Sequence, residues 1–237
     1  MDFISSATLL SLFTLTFLEI ILGIDNLIFI ALVVQKLPKK FRKSARTIGL
    51  SLAFVIRVLM LMTLSWIMTL TKPLISFYNF ALSFKDLLLI FGGIFLMVKS
   101  GLEIYHDVFF GLNITKEEKQ IKVKNSFVAA IFQITLIDIV FSFDSVITAI
   151  AMTNNIPVIV FAVMIAMFLM FFASGHISSF LGKYPSLKIV ALAFIFMVGL
   201  ILLADGVHFH VSKGYLYFSL FFTLAVEWLN ILARKKH

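Results

Sequence analysis

Two acidic segments are set in otherwise apolar sequence: Glu19-Ile-Ile-Leu-Gly-Ile-Asp25 and, 119 positions later, Asp138-Ile-Val-Phe-Ser-Phe-Asp144. Each places two carboxylates six residues apart, and an amide or hydroxyl follows at once, Asn26 in the first and Ser145 in the second. Carboxylates beside amide and hydroxyl oxygens make a hard donor set, suited to Mn²⁺, Ca²⁺ or Mg²⁺. Neither segment contains the Cys or His that softer or borderline metals favour. The candidate metal ligands are therefore Glu19, Asp25, Asn26, Asp138, Asp144 and Ser145, with Thr16, Ser142 and Thr148 as neighbouring oxygens. In a straight helix, positions six apart are separated by about 9 Å along the axis and point roughly 120° apart. Glu19 and Asp25 then share a small ion only if the helix bends or unwinds between them. Gly23 stands where that is easiest, and Ser142 occupies the matching place. The alternative is that each acid is protonated or paired with a polar group on a neighbouring helix.

The elements that must carry these residues are membrane spans. Hydrophobic residues make up 61% of the 237, the mean hydropathy is +1.08, and only 14% of residues are charged, where a soluble domain has about a quarter. A span needs roughly 20 apolar residues, and seven segments qualify: 5–34, 47–70, 86–103, 127–152, 156–174, 187–204 and 215–232. A lone Asp at the centre of a span costs roughly 2.5–3.5 kcal/mol, so four uncompensated carboxylates would cost on the order of 10 kcal/mol. Such a cost, met twice in register, points to use. The expected fold is an all-α polytopic membrane helix bundle in one transmembrane domain, 1–237.

Basic residues orient it. Lys36, Lys39, Lys40, Arg42, Lys43 and Arg46 follow the first span, and Lys116, Lys119, Lys122 and Lys124 follow the third. Lys183 and Lys188 follow the fifth, and Arg234, Lys235 and Lys236 end the chain. All fall on one side, the cytoplasm by the positive-inside rule, which gives an outer N-terminus and an inner C-terminus. The net charge of +8 is mostly this bias, and its scatter over loops argues against a nucleic-acid partner. The first residues lack a basic start and a small-residue cleavage site, so the first span is expected to stay in the protein. There is no cysteine, hence no disulfide framework or thiolate metal site.

Span four enters from the side opposite to span one. The halves, about 1–105 and 127–212, then form a 3+3 inverted repeat joined by a cytoplasmic linker of about 106–126, with an extra helix at 213–237. Transporters of this kind bind substrate near the midplane, on interrupted helices at matching positions of the two halves. Arg57, near the middle of span two, is expected to pair with one of the acids or with Glu227 of span seven. A counter-ion that fills the site when substrate is gone, a proton-relay member, and a static ion pair are all consistent with it. Asp205, His208 and His210 cluster at the outer end of span six, either as exit-side groups or as a wet loop. His176 falls in a cytoplasmic turn on this reading, and Lys85 and Asp86 begin a helix at the interface.

At these residues the chain resembles the TerC family of integral membrane proteins. The matching stretches are Glu19 to Asn26, Ala45-Arg46-Thr47-Ile48-Gly49 leading to Arg57, Asp138 to Ser145, Ala204 to His210, Lys213 to Phe218, and Glu227 to Asn230. One departure is Asp205, where the family pattern leads one to expect Glu. The resemblance implies the compact seven-span form in the bacterial cytoplasmic (inner) membrane, manganese export, and, for the founding member, resistance to tellurium stress. The family's membrane carboxylates carry over to Glu19, Asp25, Asp138 and Asp144. The expected function is export of a divalent cation, Mn²⁺ first, through a midplane carboxylate site, with proton exchange as one driving force. The alternative is a membrane-embedded stress-resistance or assembly factor acting through a protein partner. No tightly bound cofactor is expected; the partners considered are the lipid bilayer, the cation and further copies of the chain. No nucleotide-binding loop or nucleophile–base set is present in the sequence, so an enzyme is not expected.

Overall fold

The computed structural model describes residues 6–63, 73–77, 80–109, 121–153 and 155–234. Its elements are helices α1 (Ser6–Leu22), α2 (Ile24–Gln35) and α3 (Lys39–Met62), strands β1 (Pro73–Phe77) and β2 (Phe80–Ser83), then helices α4 (Phe84–Phe109), α5 (Ile121–Met152), α6 (Ile156–Lys183), α7 (Pro185–Gly206) and α8 (Lys213–Arg234). Among the described residues, six spans are long and apolar enough to cross a membrane: Thr8–Gln35, Lys39–Met62, Phe84–Phe109, Ser126–Ile150, Ile156–Lys183 and Ser186–Gly206. The fold is a polytopic membrane helix bundle. Helix α8, at 22 residues, is long enough, but Ser219, Thr223, Glu227, Asn230 and Arg234 recur every three or four positions and run a polar stripe along it.

The helix ends follow local chemistry. Pro38 precedes α3 with an extended ψ of 143°, so the helix starts at Lys39 and the basic run expected in a loop forms its first two turns. The expected second span ran to residue 70; residues 64–72 lie outside the described residues. Tyr184 is extended ahead of Pro185, as the residue before a proline prefers, and that divides α6 from α7. Helix α6 runs to Lys183, so His176 is helical rather than in a turn, with Nδ1 3.1 Å from the Phe172 carbonyl. Ser83 and Asp86 cap α4 reciprocally: the Ser83 amide and hydroxyl donate to Asp86 Oδ2 at 2.8 and 2.7 Å, and the Asp86 amide donates to Ser83 Oγ at 3.2 Å, a capping box. The one departure from an all-helical chain among the described residues is the antiparallel pair β1–β2, with Ile75 opposite Leu82 and Phe77 opposite Phe80.

The chain divides into two compact units, each drawing on both sequence halves: Met1–Lys72 with Glu118–Ser179, and Pro73–Glu117 with Phe180–His237. In the first unit α2 is enclosed on every side, with ten consecutive buried residues from Asp25 to Val34. A helix apolar and buried all round is a core helix, and α1, α3 and α5 pack against it. Helix α3 buries one stripe only, Ala45, Gly49, Leu50, Ala53, Arg57 and Leu61. Its small residues bring the backbone close to α5: a Cβ on Gly49 would stand 2.9 Å from Ile134 Cγ2. Arg57 continues this stripe and must therefore point inward.

In the second unit α4 packs against α7. A Cβ on Gly93 would lie 2.6 Å from the Gly199 carbonyl oxygen, and one on Gly199 would lie 2.8 Å from that of Gly93. Glycine at both positions is what lets the two backbones touch. Near the cytoplasmic end of this pair on the charge-bias reading, Lys188 Nζ lies 2.6 Å from Asp107 and 3.7 Å from Glu103.

Candidate ion site

Helix α1 ends one turn after Glu19, and Gly23 separates it from α2. The interruption is a single residue: the Gly23 amide still donates to the Glu19 carbonyl at 2.9 Å, and Leu27 N donates to Gly23 O at 3.0 Å. A Cβ at Gly23 would run into Met170 Sδ of α6, so this is where α6 approaches the first span.

Arg57 lies between the two halves of the acidic set. Its Nη1 donates to Glu19 Oε2 at 2.9 Å and its Nη2 to Asp138 Oδ1 at 3.1 Å. All three side chains are almost fully enclosed, at 2–4% exposure. Asn26 Nδ2 also donates to Asp138 Oδ1, at 3.2 Å, and Ser142 Oγ to Asp138 Oδ2, at 3.1 Å. From α5 the Ser145 hydroxyl donates to the Ser142 carbonyl at 3.3 Å and lies on the side of the Glu19 carboxylate.

The placement is reciprocal. Glu19 and Asn26 are seven apart, and so are Asp138 and Ser145, the residues 119 positions further on. Asn26 bonds Asp138, while Ser145 lies beside Glu19. Rising number on one helix meets falling number on the other, so α1–α2 and α5 run antiparallel, and the Arg57 guanidinium joins the two acids across the centre. Seven residues span nearly two turns and return to the same face. The face the helices share is thus set by the seven-residue spacing, and the six-residue spacing of the carboxylates places Asp25 to one side. Asp25 is buried at the start of α2. Asp144 is helical, and its side chain lies outside the described residues, as does any meeting of Asp25 with Asp144.

The electrostatics follow from the inventory. Among the described residues of this unit, Glu19, Asp25 and Asp138 are buried acids and Arg57 is the buried base. Fully ionised, these four side chains carry a net charge of −2. Two further groups are left over within the cluster: Asn26 Oδ1 and Arg57 Nε are buried with no hydrogen-bond partner among the described residues. No three acidic or imidazole side chains among the described residues are gathered as a metal cage, since the guanidinium stands between the two acids that face each other.

The remaining sequence candidates lie in the second unit. Glu227 is half-buried on α8, 3.4 Å from Asn230 Nδ2; Arg57 makes its ion pairs with Glu19 and Asp138. His210, exposed, lies 3.3 Å from Asp205. His208 ends α7 with a positive φ of 64°, and the Phe209 amide reaches back to the Ala204 carbonyl at 2.8 Å. This is the Schellman arrangement, whose left-handed position usually holds glycine. His208 Nε2 is 3.2 Å from Asp86 Oδ2, so the turn after α7 is tied to the capped start of α4. The role of Ser142 as a donor to Asp138, and the seven-residue face itself, were missed by reasoning from the carboxylates alone; same-face spacing was the signal that would have found them.

No solved structure matches the chain. It is 46% identical over 226 residues to a UPF0053 protein of Haemophilus influenzae, covering 95% of this chain and 94% of that one. It is 44% identical over 229 residues to the UPF0053 inner membrane protein YgdQ of Escherichia coli, covering 96% and 94%. A third relative, the inner membrane protein YoaE of Escherichia coli, is 44% identical over 224 residues; these cover 94% of this chain but 43% of YoaE, a longer protein. With spans of this length and apolarity and relatives of this kind, the chain is an integral protein of the bacterial inner membrane. The resemblance carried by the paired acidic segments extends to both ends of the molecule: residues 4–237 match the integral membrane protein TerC family, and the chain belongs to it.

Proposed function

We propose that this protein exports a divalent metal cation, Mn²⁺ before others, through the site shared by α1–α2 and α5. The observation that carries the reading is the reciprocal cluster: two acids from repeat-related positions, facing each other inside the membrane and joined by one guanidinium. Arginine cannot shed its proton in a protein, so Arg57 is a fixed cation that substrate must displace rather than neutralise. When it withdraws, Glu19, Asp138, Asn26 and the serine hydroxyls offer oxygens alone, the donor set of a hard divalent ion. Each ion or proton that occupies the site has only to differ in affinity between inward- and outward-facing states for exchange to run. A cation arriving from the cytoplasm releases protons and Arg57; protons arriving from outside release the cation. The chemistry asks for no nucleophile, and the protein acts as a transporter rather than an enzyme.

The test is manganese tolerance of cells that lack their own exporters. Wild-type protein should restore growth and lower cell manganese. Asp138→Asn removes one acid of the site, keeps shape and leaves the Arg57–Glu19 pair in place, and should restore neither at equal membrane abundance. Full tolerance with this variant sinks the carboxylate transport reading. It would favour a stress-resistance factor, of the tellurium type, acting through a protein partner.

A further inference from the structure

Two threonines repeat the symmetry of the acids. Thr16 lies three residues before Glu19 and Thr135 three residues before Asp138, again 119 positions apart. Positions three apart share a helix face, so each hydroxyl is on the side of its acid, about 4.5 Å further along the axis. Both hydroxyl oxygens are buried, and neither finds a hydrogen-bond partner among the described residues. Two other threonines use theirs: Thr63 Oγ1, at the C-terminal cap of α3, donates to the Leu59 carbonyl at 2.8 Å, and Thr223 Oγ1 in α8 to the Ser219 carbonyl at 2.7 Å, the bond to the residue four before that helical hydroxyls can make. Thr16 and Thr135 forgo that bond, at symmetry-related places, inside apolar surroundings where an unmet hydroxyl is unfavourable.

Their placement gives them a use. Because the two helices run antiparallel, Thr16 lies beyond Glu19 on one side of the acid layer and Thr135 lies beyond Asp138 on the other. From Thr16 through Glu19 and Ser145, then Asn26 and Asp138, to Thr135, oxygens follow one another over roughly 20 Å of a hydrocarbon layer about 30 Å thick. We propose that the Thr16 and Thr135 hydroxyls are oxygen ligands that receive a divalent cation as it enters and leaves the layer held by Glu19, Arg57 and Asp138, one on each side. This deepens the transport reading above and rests on it. Thr135 serves the face that carries the Lys36–Arg46 segment, and Thr16 the opposite face. A cation that has shed part of its water needs such a step before it can compete with Arg57, and a neutral hydroxyl binds it weakly enough to let it go.

The experiment is Mn²⁺ flux in liposomes containing the whole protein in one orientation, with Mn²⁺ supplied to one face at a time. Thr135→Val should raise the half-saturating Mn²⁺ concentration about tenfold at the Lys36–Arg46 face, the size of one lost bond to a charged group, and change it little at the other. Thr16→Val should do the reverse, and Thr16→Ser and Thr135→Ser should keep wild-type values. The valine variants should melt no lower than the wild type, since each loses a hydroxyl that had no partner. Unchanged flux at both faces overturns the inference. So does a lowered melting temperature with an equal loss at both faces, the mark of a hydroxyl that holds the fold through a buried water. Flux that is absent in the wild type overturns the transport reading itself, and this inference with it; flux present in the wild type but indifferent to both threonines overturns this inference alone.

Discussion

Arg57 is the residue on which the account turns. Removing one partner of a buried ion pair strands the other charge and costs about 3–5 kcal/mol; Arg57→Ala strands two, Glu19 and Asp138. A divalent cation can take the vacated place, so Mn²⁺ should raise the melting temperature of the Arg57→Ala variant more than that of the wild type, in which the guanidinium must first be moved. Equal or smaller stabilisation of the variant in a thermal-shift titration would show that Arg57 is no competitor for the ion. The chemistry of this residue was legible in sequence, because a cation among apolar residues needs an acid. Its choice among the acids was not. Glu227 was as good a candidate until the α3 stripe of Ala45, Gly49, Ala53 and Arg57 met α5. The same limit applied to the acids themselves: two carboxylates six apart drew the eye, while helix geometry brought Glu19 with Asn26, and Asp138 with Ser145, onto the facing surfaces.

At the scale of elements, two glycines that both lie in close contacts should respond differently to the same change. A Cβ on Gly93 meets backbone, the Gly199 carbonyl at 2.6 Å and Leu203 N at 2.8 Å. Neither can yield without moving a helix, so Gly93→Ala should cost about 1–3 kcal/mol, the usual penalty of overpacking. A Cβ on Gly23 meets chiefly the thioether end of Met170, which has three rotatable bonds and can turn away, and beyond it the Glu19 carbonyl at 3.0 Å. Alanine is also the better helix former by about 1 kcal/mol. Gly23→Ala should therefore cost less stability than Gly93→Ala, and slow transport if the interruption between α1 and α2 serves the ion. Unfolding of both variants by heat or denaturant checks the contrast; a Gly93→Ala variant as stable as the wild type would show that α4 and α7 are not held at backbone contact. The spans were readable from length and apolarity, and their ends less so. Pro38 let α3 absorb the basic run, whose long side chains reach the interface from a helix as well as from a loop. The β1–β2 pair was invisible, because strand pairing depends on a partner that a short apolar run does not reveal.

For the whole molecule, the claim is an inverted arrangement with alternating access to one buried site. The chain has no cysteine, so a single introduced one reports its side without background. Cysteine at Lys40 should be labelled by a membrane-impermeant maleimide only after the membrane is opened, and cysteine at His210 in intact spheroplasts; the opposite pattern would invert the orientation and exchange the roles of Thr16 and Thr135. The basic loops and paired acids of the sequence are what suggest this topology. It could not show that each compact unit takes helices from both halves, because that depends on packing between segments distant in the chain. The central claim, that a divalent cation crosses by replacing Arg57 between Glu19 and Asp138, is tested most directly by Mn²⁺ flux through purified protein in proteoliposomes with an imposed pH gradient. The account predicts flux in the wild type that quickens when protons can move against the metal, and none in Asp138→Asn, whose neutral Arg57–Glu19 pair leaves the fold intact. No flux in the wild type under either gradient, or undiminished flux in Asp138→Asn, would contradict it.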